Sequence, residues 1–200
     1  MLFDSTKFLS HIQTMSNQFF FGYGSLVNTS SHNFDDISNA RLVGWRRVWQ
    51  RTNLRKFSFL SVHKSNNFSI DGVIASVTDG HWTRLDEREA GYDRIIGSKM
   101  VEHTSERTDS ISFYRIPDHN LHHCKKCPIL LSYLDVVLMG FLQRFGEQGF
   151  SNFFETTDQW DTGIFNDRDD PRYPRAQEFE SSFYSAVDNA IIDHEIKLCL

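Results

Sequence analysis

The stretch Phe19-Phe20-Phe21-Gly22-Tyr23-Gly24-Ser25-Leu26 runs from a strongly apolar, strand-like segment directly into a glycine-rich turn. Glycines at the end of a strand let the backbone turn sharply and let a ligand come close. Consecutive N–H groups in such a turn can bind a carboxylate or an oxyanion, and Tyr23 and Ser25 add hydroxyl donors. The third glycine of a dinucleotide fingerprint and the Gly-Lys-Ser/Thr of a phosphate loop are missing. Alone, the segment predicts either a small-ligand cradle or a plain tight turn.

A second segment, Leu85-Asp86-Glu87-Arg88-Glu89-Ala90-Gly91-Tyr92-Asp93-Arg94, is dense in charge. A one-turn helix ending at Gly91 would place Leu85 and Glu89, which are four residues apart, on one face. Leu85 would anchor that face and draw Glu89 toward the interior. A carboxylate near apolar walls has a raised pKa, which suits a general base near neutral pH. The alternative is a solvated turn in which Glu89 forms a weak surface ion pair with Arg88 or Arg94.

The order and spacing of these two segments resemble those of the γ-glutamylcyclotransferase superfamily. The resemblance covers about residues 18–116 and extends to both the general enzymes and the ChaC-type, glutathione-degrading branch. Between the segments, Gly44-Trp45-Arg46-Arg47-Val48-Trp49-Gln50 is similar to the Gly-aromatic-Arg-Arg strand of ChaC-type members. Ala90 stands where many members have glycine. Val27 follows Ser-Leu where some members carry an extra asparagine. Both departures bear on substrate fit more than on the reaction.

The resemblance implies an α+β fold with a small mixed β-barrel flanked by helices. It also implies release of 5-oxoproline from a γ-glutamyl compound by intramolecular aminolysis, without cofactor or metal. Carried over by residue, Tyr23, Gly24, Ser25 and Leu26 hold the glutamyl group, and Glu89 is the catalytic acid and base. The alternatives are a ChaC-type enzyme restricted to glutathione and a catalytically silent module that binds a γ-glutamyl or similar small ligand. The N–H groups around Gly24 either stabilise the oxyanion or bind the α-carboxylate.

Three further side chains are candidates for substrate binding. Tyr92 follows the glutamate closely, and Tyr173 lies in Asp170-Pro171-Arg172-Tyr173-Pro174-Arg175, where it is either a rigid lid element or a packing anchor. Arg46 and Arg47 point to opposite faces of a strand. We therefore expect one of them, Arg47, to contact a substrate carboxylate, unless both lie in water at the ends of the barrel.

The chain reads as one domain over residues 1–200, with a β-rich part over about 18–116 and a helical part over about 128–200. Strands are predicted at Gln18–Tyr23, Ala40–Gln50, Phe57–His63, Ile70–Val77, Arg94–His103 and Ser110–Ile116, with a turn at Asn66–Asn67. Helices are predicted at Ser5–Met15, Ile129–Phe145, Gly149–Glu155 and Glu178–Ile192, with Gly146 ending the second. The acidic loop Thr156–Pro174 is long enough to suggest a function.

Composition excludes several classes of protein. The 200 residues contain 21 Lys+Arg against 26 Asp+Glu, a net charge of −5, which argues against a nucleic-acid binder. No segment has the roughly 20 apolar residues of a membrane helix, and we expect no membrane partner. The 3 cysteines favour a reducing cytoplasm over a disulfide-stapled secreted fold. His122-His123-Cys124-Lys125-Lys126-Cys127 lacks a second ligand pair, so an incidental loop is favoured over a zinc site. The sequence does not indicate the oligomeric state.

Overall fold

A seven-stranded mixed sheet and a second, three-stranded sheet appear in the computed structural model, which describes residues 18–78, 81–106, 110–122 and 127–199. The strands are β1 Gln18–Gly22, β2 Ser38–Gln50, β3 Phe59–Ser76, β4 Asp93–Ile96, β5 Val101–His103, β6 Ser110–Arg115, β7 Ile129–Leu130, β8 Thr157–Asp158, β9 Ile164–Phe165 and β10 Leu198–Cys199. The main sheet has the order β4-β6-β1-β3-β2-β5, with β8 paired to β2, and the small sheet has the order β10-β9-β7. The helix predicted at Ser5–Met15 lies outside the described residues.

The main sheet is strongly curled, but it is not a closed barrel. Trp45 on β2 and Phe113 on β6 are separated by two strands, yet their ring centroids are 5.0 Å apart. In a flat sheet the intervening strands would hold these backbones about 14 Å apart. The strands at the two ends of the sheet, β4 and β5, are joined by a short turn but form no ladder with each other within the described residues. The predicted α+β class is confirmed, while the barrel is an open, curled sheet.

The sequence predicted two of the divisions between strands wrongly. The segment with the turn predicted at Asn66–Asn67 is one strand, β3, and both of its halves pair antiparallel with β2. Its register shifts between the pairs Val43↔Ser69 and Trp45↔Lys64, so the extra residues form an exposed bulge instead of reversing the chain. The predicted strand Arg94–His103 is divided between β4 and β5, which pair with β6 and β2 respectively.

The helices are α1 His81–Arg88, α2 Leu131–Glu155 and α3 Ser181–Asp193. The break predicted in α2 is confirmed at Gly146, whose φ of 67° lies in the left-handed region that favours glycine. Most of α2 before this break is buried against the main sheet, as its almost uniformly apolar sequence predicts. Within the described residues, none of the helices combines the length and apolar character needed to cross a membrane.

The acidic loop predicted over Thr156–Pro174 is ordered by contacts with the start of α2. Asp167 is buried, and its carboxylate accepts hydrogen bonds from the Ser132 N–H at 2.8 Å and the Ser132 hydroxyl at 2.6 Å. Arg168 forms a bidentate ion pair with the buried Asp135, at 2.7 and 2.8 Å. Because these bonds fix the loop to α2, the segment that follows it is held beside the N-terminal turn of that helix.

Candidate functional site

The predicted ligand-binding segment Tyr23–Leu26, which we call the cradle, is a tight turn at the end of β1. A 3-10 turn spans Ser25–Val27, in which the Val27 N–H donates to the Gly24 carbonyl at 2.9 Å. The first N–H groups of such a turn have no partner within the turn itself, so those of Ser25 and Leu26 point outward at its start. The Ser25 N–H meets the Tyr133 hydroxyl there. Asn28 ends the turn and is fully buried, and its Nδ2 donates to the Val136 carbonyl at 3.0 Å. The turn is therefore anchored to α2.

Glycine is favoured at position 24 because two side chains occupy the space that a Cβ atom would need. A Cβ atom at this position would lie 2.8 Å from the Tyr133 hydroxyl oxygen and 3.1 Å from Leu60 Cδ2. Tyr133 lies in the first turn of α2 and brings its hydroxyl to the cradle. Burial raises the pKa of Tyr133, as do Tyr173 and Glu89, whereas a hydrogen bond from the Ser25 N–H acts in the opposite direction.

Glu89 lies one residue beyond α1, and its N–H continues the helical pattern by donating to the Leu85 carbonyl at 2.9 Å. Leu85 is 1% exposed and anchors this face, as the spacing predicts. The Glu89 side chain is 18% exposed, and its Oε1 lies 3.4 Å from Nε of Arg88. Burial raises the pKa of Glu89, whereas the positive charges of Arg88 and Arg175 lower it.

The half-buried Arg88 ties Glu89 to the cradle. Its Nη2 donates to Ser25 Oγ at 3.3 Å, and its side chain is 11% exposed. The surface ion pair between Glu89 and Arg94, considered from the sequence, does not form, because Arg94 pairs with Asp86 at 3.5 Å. The pair that forms, Arg88–Glu89, is largely shielded from solvent. Its attraction is therefore less screened than that of a surface pair.

The cradle and Glu89 line the same cavity. A small inner pocket of about 40 Å³ is bounded by Tyr23–Leu26 and Glu89, and by Leu60, Tyr92, Tyr114 and Tyr133. It adjoins an open cleft of about 560 Å³, because Ser25, Leu60, Glu89, Tyr92 and Tyr133 line both. This arrangement places a carboxylate with a raised pKa beside backbone N–H donors and tyrosine hydroxyls. It suits an acid–base reaction on a small, partly enclosed ligand.

Both predicted pocket tyrosines line the cleft. The Tyr92 hydroxyl donates to the Leu60 carbonyl at 2.8 Å, which fixes its ring in the inner pocket wall. The Tyr173 ring packs edge-on against Tyr133, with centroids 5.0 Å apart, so it is a packing anchor that also lines the cleft. Its buried hydroxyl has no hydrogen-bond partner within the described residues. A bound ligand could supply the missing partner.

Arg47 lies behind the cradle and not in the cleft, so the structure does not support it as a substrate contact. Arg47 is 1% exposed, and its guanidinium carbon lies 4.6 Å and 5.0 Å from the ring centroids of Phe141 and Phe153. Arg46 points to the opposite face and pairs with Asp158, which confirms the predicted alternation. The face that Arg47 occupies is covered by α2.

Tyr133, Arg88 and Arg175 are among the residues of the site that the sequence did not predict. Arg175 is exposed, lines the cleft and acts on Glu89 through its charge. For Tyr133, the available signal was a polar hydroxyl near the start of an otherwise apolar helix. For Arg88, it was only adjacency to Glu89. Of the cysteine motif, His123 and Cys124 lie outside the described residues, while His122 is exposed and Cys127 is buried.

Several solved structures share this architecture at low sequence identity. One described as a gamma-glutamyl cyclotransferase aligns with a TM-score of 0.54 at 13% identity, over 86% of this chain and 98% of its own. An uncharacterized protein from Homo sapiens aligns with a TM-score of 0.55 at 16% identity, over 85% of this chain and 97% of its own. YkqA from Bacillus subtilis aligns with a TM-score of 0.57 at 14% identity, over 71% of this chain and 54% of its own. No protein-family model and no curated protein match the sequence. The chain therefore has the γ-glutamyl cyclotransferase-like fold.

Proposed function

We propose that this protein is a γ-glutamylcyclotransferase that releases 5-oxoproline from a γ-glutamyl amino acid, peptide or amine. The observation that carries the proposal is the shared inner pocket, which Glu89 and the Tyr23–Leu26 cradle line together. The fold adds support, because a structure described as a gamma-glutamyl cyclotransferase aligns over 98% of its own length. The sequence resemblance and the fold likeness rest on different observations, and both point to the same reaction.

The proposed reaction rearranges bonds within one molecule. The substrate's α-amine attacks its own γ-carbonyl carbon and forms a five-membered ring through a tetrahedral intermediate. The bond from that carbon to the departing nitrogen then breaks, which yields 5-oxoproline and a free amine. Water is not consumed and no redox change occurs, so the reaction needs no cofactor. Effective molarities of about 10⁵–10⁸ M for well-oriented intramolecular reactions show that positioning alone supplies much of the acceleration.

Proton transfer is the task of Glu89 in this proposal. The α-amine is protonated in water and cannot attack, so a carboxylate must remove a proton from it. Because burial raises the pKa of Glu89, the carboxylate is a stronger base than an exposed one and can return the proton to the departing nitrogen. Arg88, 3.4 Å away, keeps the carboxylate ionised for the first step. The N–H groups at the start of the cradle turn then stabilise the oxyanion or bind the α-carboxylate.

A substrate panel with Glu89→Gln tests the proposal. Purified protein is incubated with γ-glutamyl amino acids, γ-glutamyl amines, glutathione and a buffer blank, and 5-oxoproline is measured. We expect release from at least one substrate and a loss of at least about 100-fold in Glu89→Gln. Glu147→Gln removes an exposed carboxylate from α2 and serves as the matched control. Binding without turnover would support a silent ligand-binding module instead, and activity of Glu89→Gln within a few-fold of wild type would remove Glu89 from the mechanism.

A further inference from the structure

The cleft outside the inner pocket has an excess of positive charge at its rim. Four cationic side chains line it, and we call them the cleft rim: Arg55, Lys56, Arg172 and Arg175. They contrast with the whole chain, which carries a net charge of −5. The acidic residues that line the cleft are Glu87 and Glu89, and Glu89 is already paired with Arg88. This local excess of positive charge favours an anionic group in the cleft.

The rim cations have no carboxylate partner at ion-pair distance among the residues that the structure describes. They lie on two separate loops, at positions 55–56 and 172–175, and all four are exposed. Unpaired cations repel one another, so bringing two pairs to one cleft costs free energy unless an anion occupies it.

Arg172 is the rim cation whose orientation is most constrained. Its guanidinium carbon lies 4.6 Å from the Phe165 ring centroid and 5.5 Å from that of Phe57. Its backbone N–H donates to the buried Asp167 at 2.9 Å, and prolines stand close on both sides of it in the chain. A guanidinium held in this way loses little conformational freedom when it binds a ligand. Its N–H donors form a planar fork that matches the two oxygens of a carboxylate.

We propose that the leaving group of the substrate carries two or more carboxylates, as an acidic amino acid or acidic peptide does, and that Arg172 selects it together with Lys56. This inference rests on the proposed function, because it assigns the γ-glutamyl group to the inner pocket and the leaving group to the adjoining cleft. A single carboxylate would leave most of the rim charge uncompensated. A cationic amine would be repelled by it.

Three matched substrates separate the contributions: γ-glutamylglutamate, γ-glutamylglutamine and γ-glutamylpropylamine, whose leaving groups contain two, one and no carboxylates. We expect kcat/KM to fall by about tenfold at each step in this order.

In Arg172→Gln and in Lys56→Gln, the preference for glutamate over glutamine as the leaving group should shrink to about threefold or less, while Arg172→Lys retains part of this preference. Arg41→Gln and Lys64→Gln remove the same charges from β2 and β3, outside the cleft lining, and should keep the wild-type preference.

The outcomes distinguish this inference from the proposed function. Release of 5-oxoproline at equal kcat/KM from all three substrates would leave the proposed function standing and overturn the inference. If Arg172→Gln and Lys56→Gln keep the wild-type preference for a glutamate leaving group, the cleft rim does not cause that preference. If Arg172→Gln fails to fold, Lys56→Gln, on the loop at positions 55–56, tests alone whether the rim selects the leaving group. Release from none of these or the panel substrates would overturn the proposed function, and the inference with it.

Discussion

The Nε of Arg47 donates a hydrogen bond of 2.9 Å to the carbonyl oxygen of Tyr23. The same guanidinium donates to the Asp71 carbonyl and, at 2.8 Å, to the Thr156 hydroxyl. A fully buried cation therefore fixes the first residue of the cradle from the side that faces away from the cleft. Burial lowers the pKa of Arg47, while the charge of Asp71 raises it. Arg47 positions the site without touching the substrate.

Replacing Arg47 should destabilise the protein by much more than replacing an exposed arginine. Arg47→Met removes the donor from one buried and two part-buried acceptors but relieves the cost of burying a charge. We therefore expect a loss of about 2–4 kcal/mol in the free energy of unfolding. Arg41, whose side chain is 53% exposed, pairs with Asp71, and Arg41→Met should cost less than about 1 kcal/mol. Urea denaturation of both variants checks this, and equal losses would contradict the role assigned to Arg47.

The acid limb of the pH profile should report Glu89. Its pKa lies above the ordinary value of a glutamate, so kcat/KM should fall as the pH drops through this raised pKa and protonates the base. Arg175 lowers that pKa through its charge, and Arg175→Gln should therefore move the limb to higher pH. Arg41→Gln, outside the cleft lining, should leave the limb in place. A limb that does not move in Arg175→Gln would show that another group controls it.

Glu89 also affects folding stability. Its pKa is raised in the folded state, so the folded protein binds more protons than the unfolded chain between the ordinary and the raised value. Its contribution to stability is therefore greatest at low pH and is lost as the pH rises through the raised pKa. We expect Glu89→Gln to be at least as stable as wild type at neutral pH, which a thermal melt can measure. A clear loss of stability would identify a structural role for the carboxylate.

The sequence predicted the two parts of the site that depend on local spacing. The cradle follows from glycines at a strand end, and the burial of Leu85 with Glu89 follows from a separation of four residues. The position of Arg47 could not be predicted in the same way. Strand alternation separates Arg46 from Arg47, but the choice of buried face depends on Phe141 and Phe153 of α2, which are remote in the chain.

The errors in the strands have a related physical cause. The polar segment around Asn66–Asn67 has the composition of a turn, but it lies at the exposed bulge of β3, where side chains need not be apolar. Pairing with β2 on both sides of the bulge keeps the chain extended. Likewise, Gly97 lies in a turn that directs β4 and β5 to opposite ends of the sheet. Both outcomes are decided by long-range pairing, which local composition does not determine.

Gly24 and Tyr133 should be energetically coupled. In Gly24→Ala the new Cβ would lie 2.8 Å from the Tyr133 hydroxyl oxygen, and such overpacking costs about 1–3 kcal/mol. Tyr133→Phe removes that oxygen, so the double variant should recover part of the loss, with the remainder due to Leu60 Cδ2 at 3.1 Å. Unfolding free energies of the four proteins complete a double-mutant cycle. Strictly additive effects would contradict the close approach.

His32 holds the far end of the cradle as a neutral imidazole. Its Nε2 lies 2.9 Å from the Leu26 carbonyl oxygen, and its Nδ1 accepts from the Phe34 N–H at 3.2 Å. These partners assign the proton to Nε2 and leave Nδ1 as an acceptor. Burial lowers the pKa of His32, and the charge of Arg88 lowers it further, although the bond to Leu26 acts in the opposite direction. A second proton on Nδ1 would face the Phe34 N–H.

His32 should therefore make stability depend on pH. The unfolded chain takes up the proton first, as the pH falls below about 6.5, while the folded protein resists until a lower pH. The contribution is thus present above this value and lost below it. His32→Gln can keep a donor to Leu26 but does not titrate. Between about pH 7.5 and 5.5 its melting temperature should fall less than that of wild type or of His119→Gln, which removes an exposed histidine. Equal falls in all three proteins would show that His32 is not held neutral by its contacts.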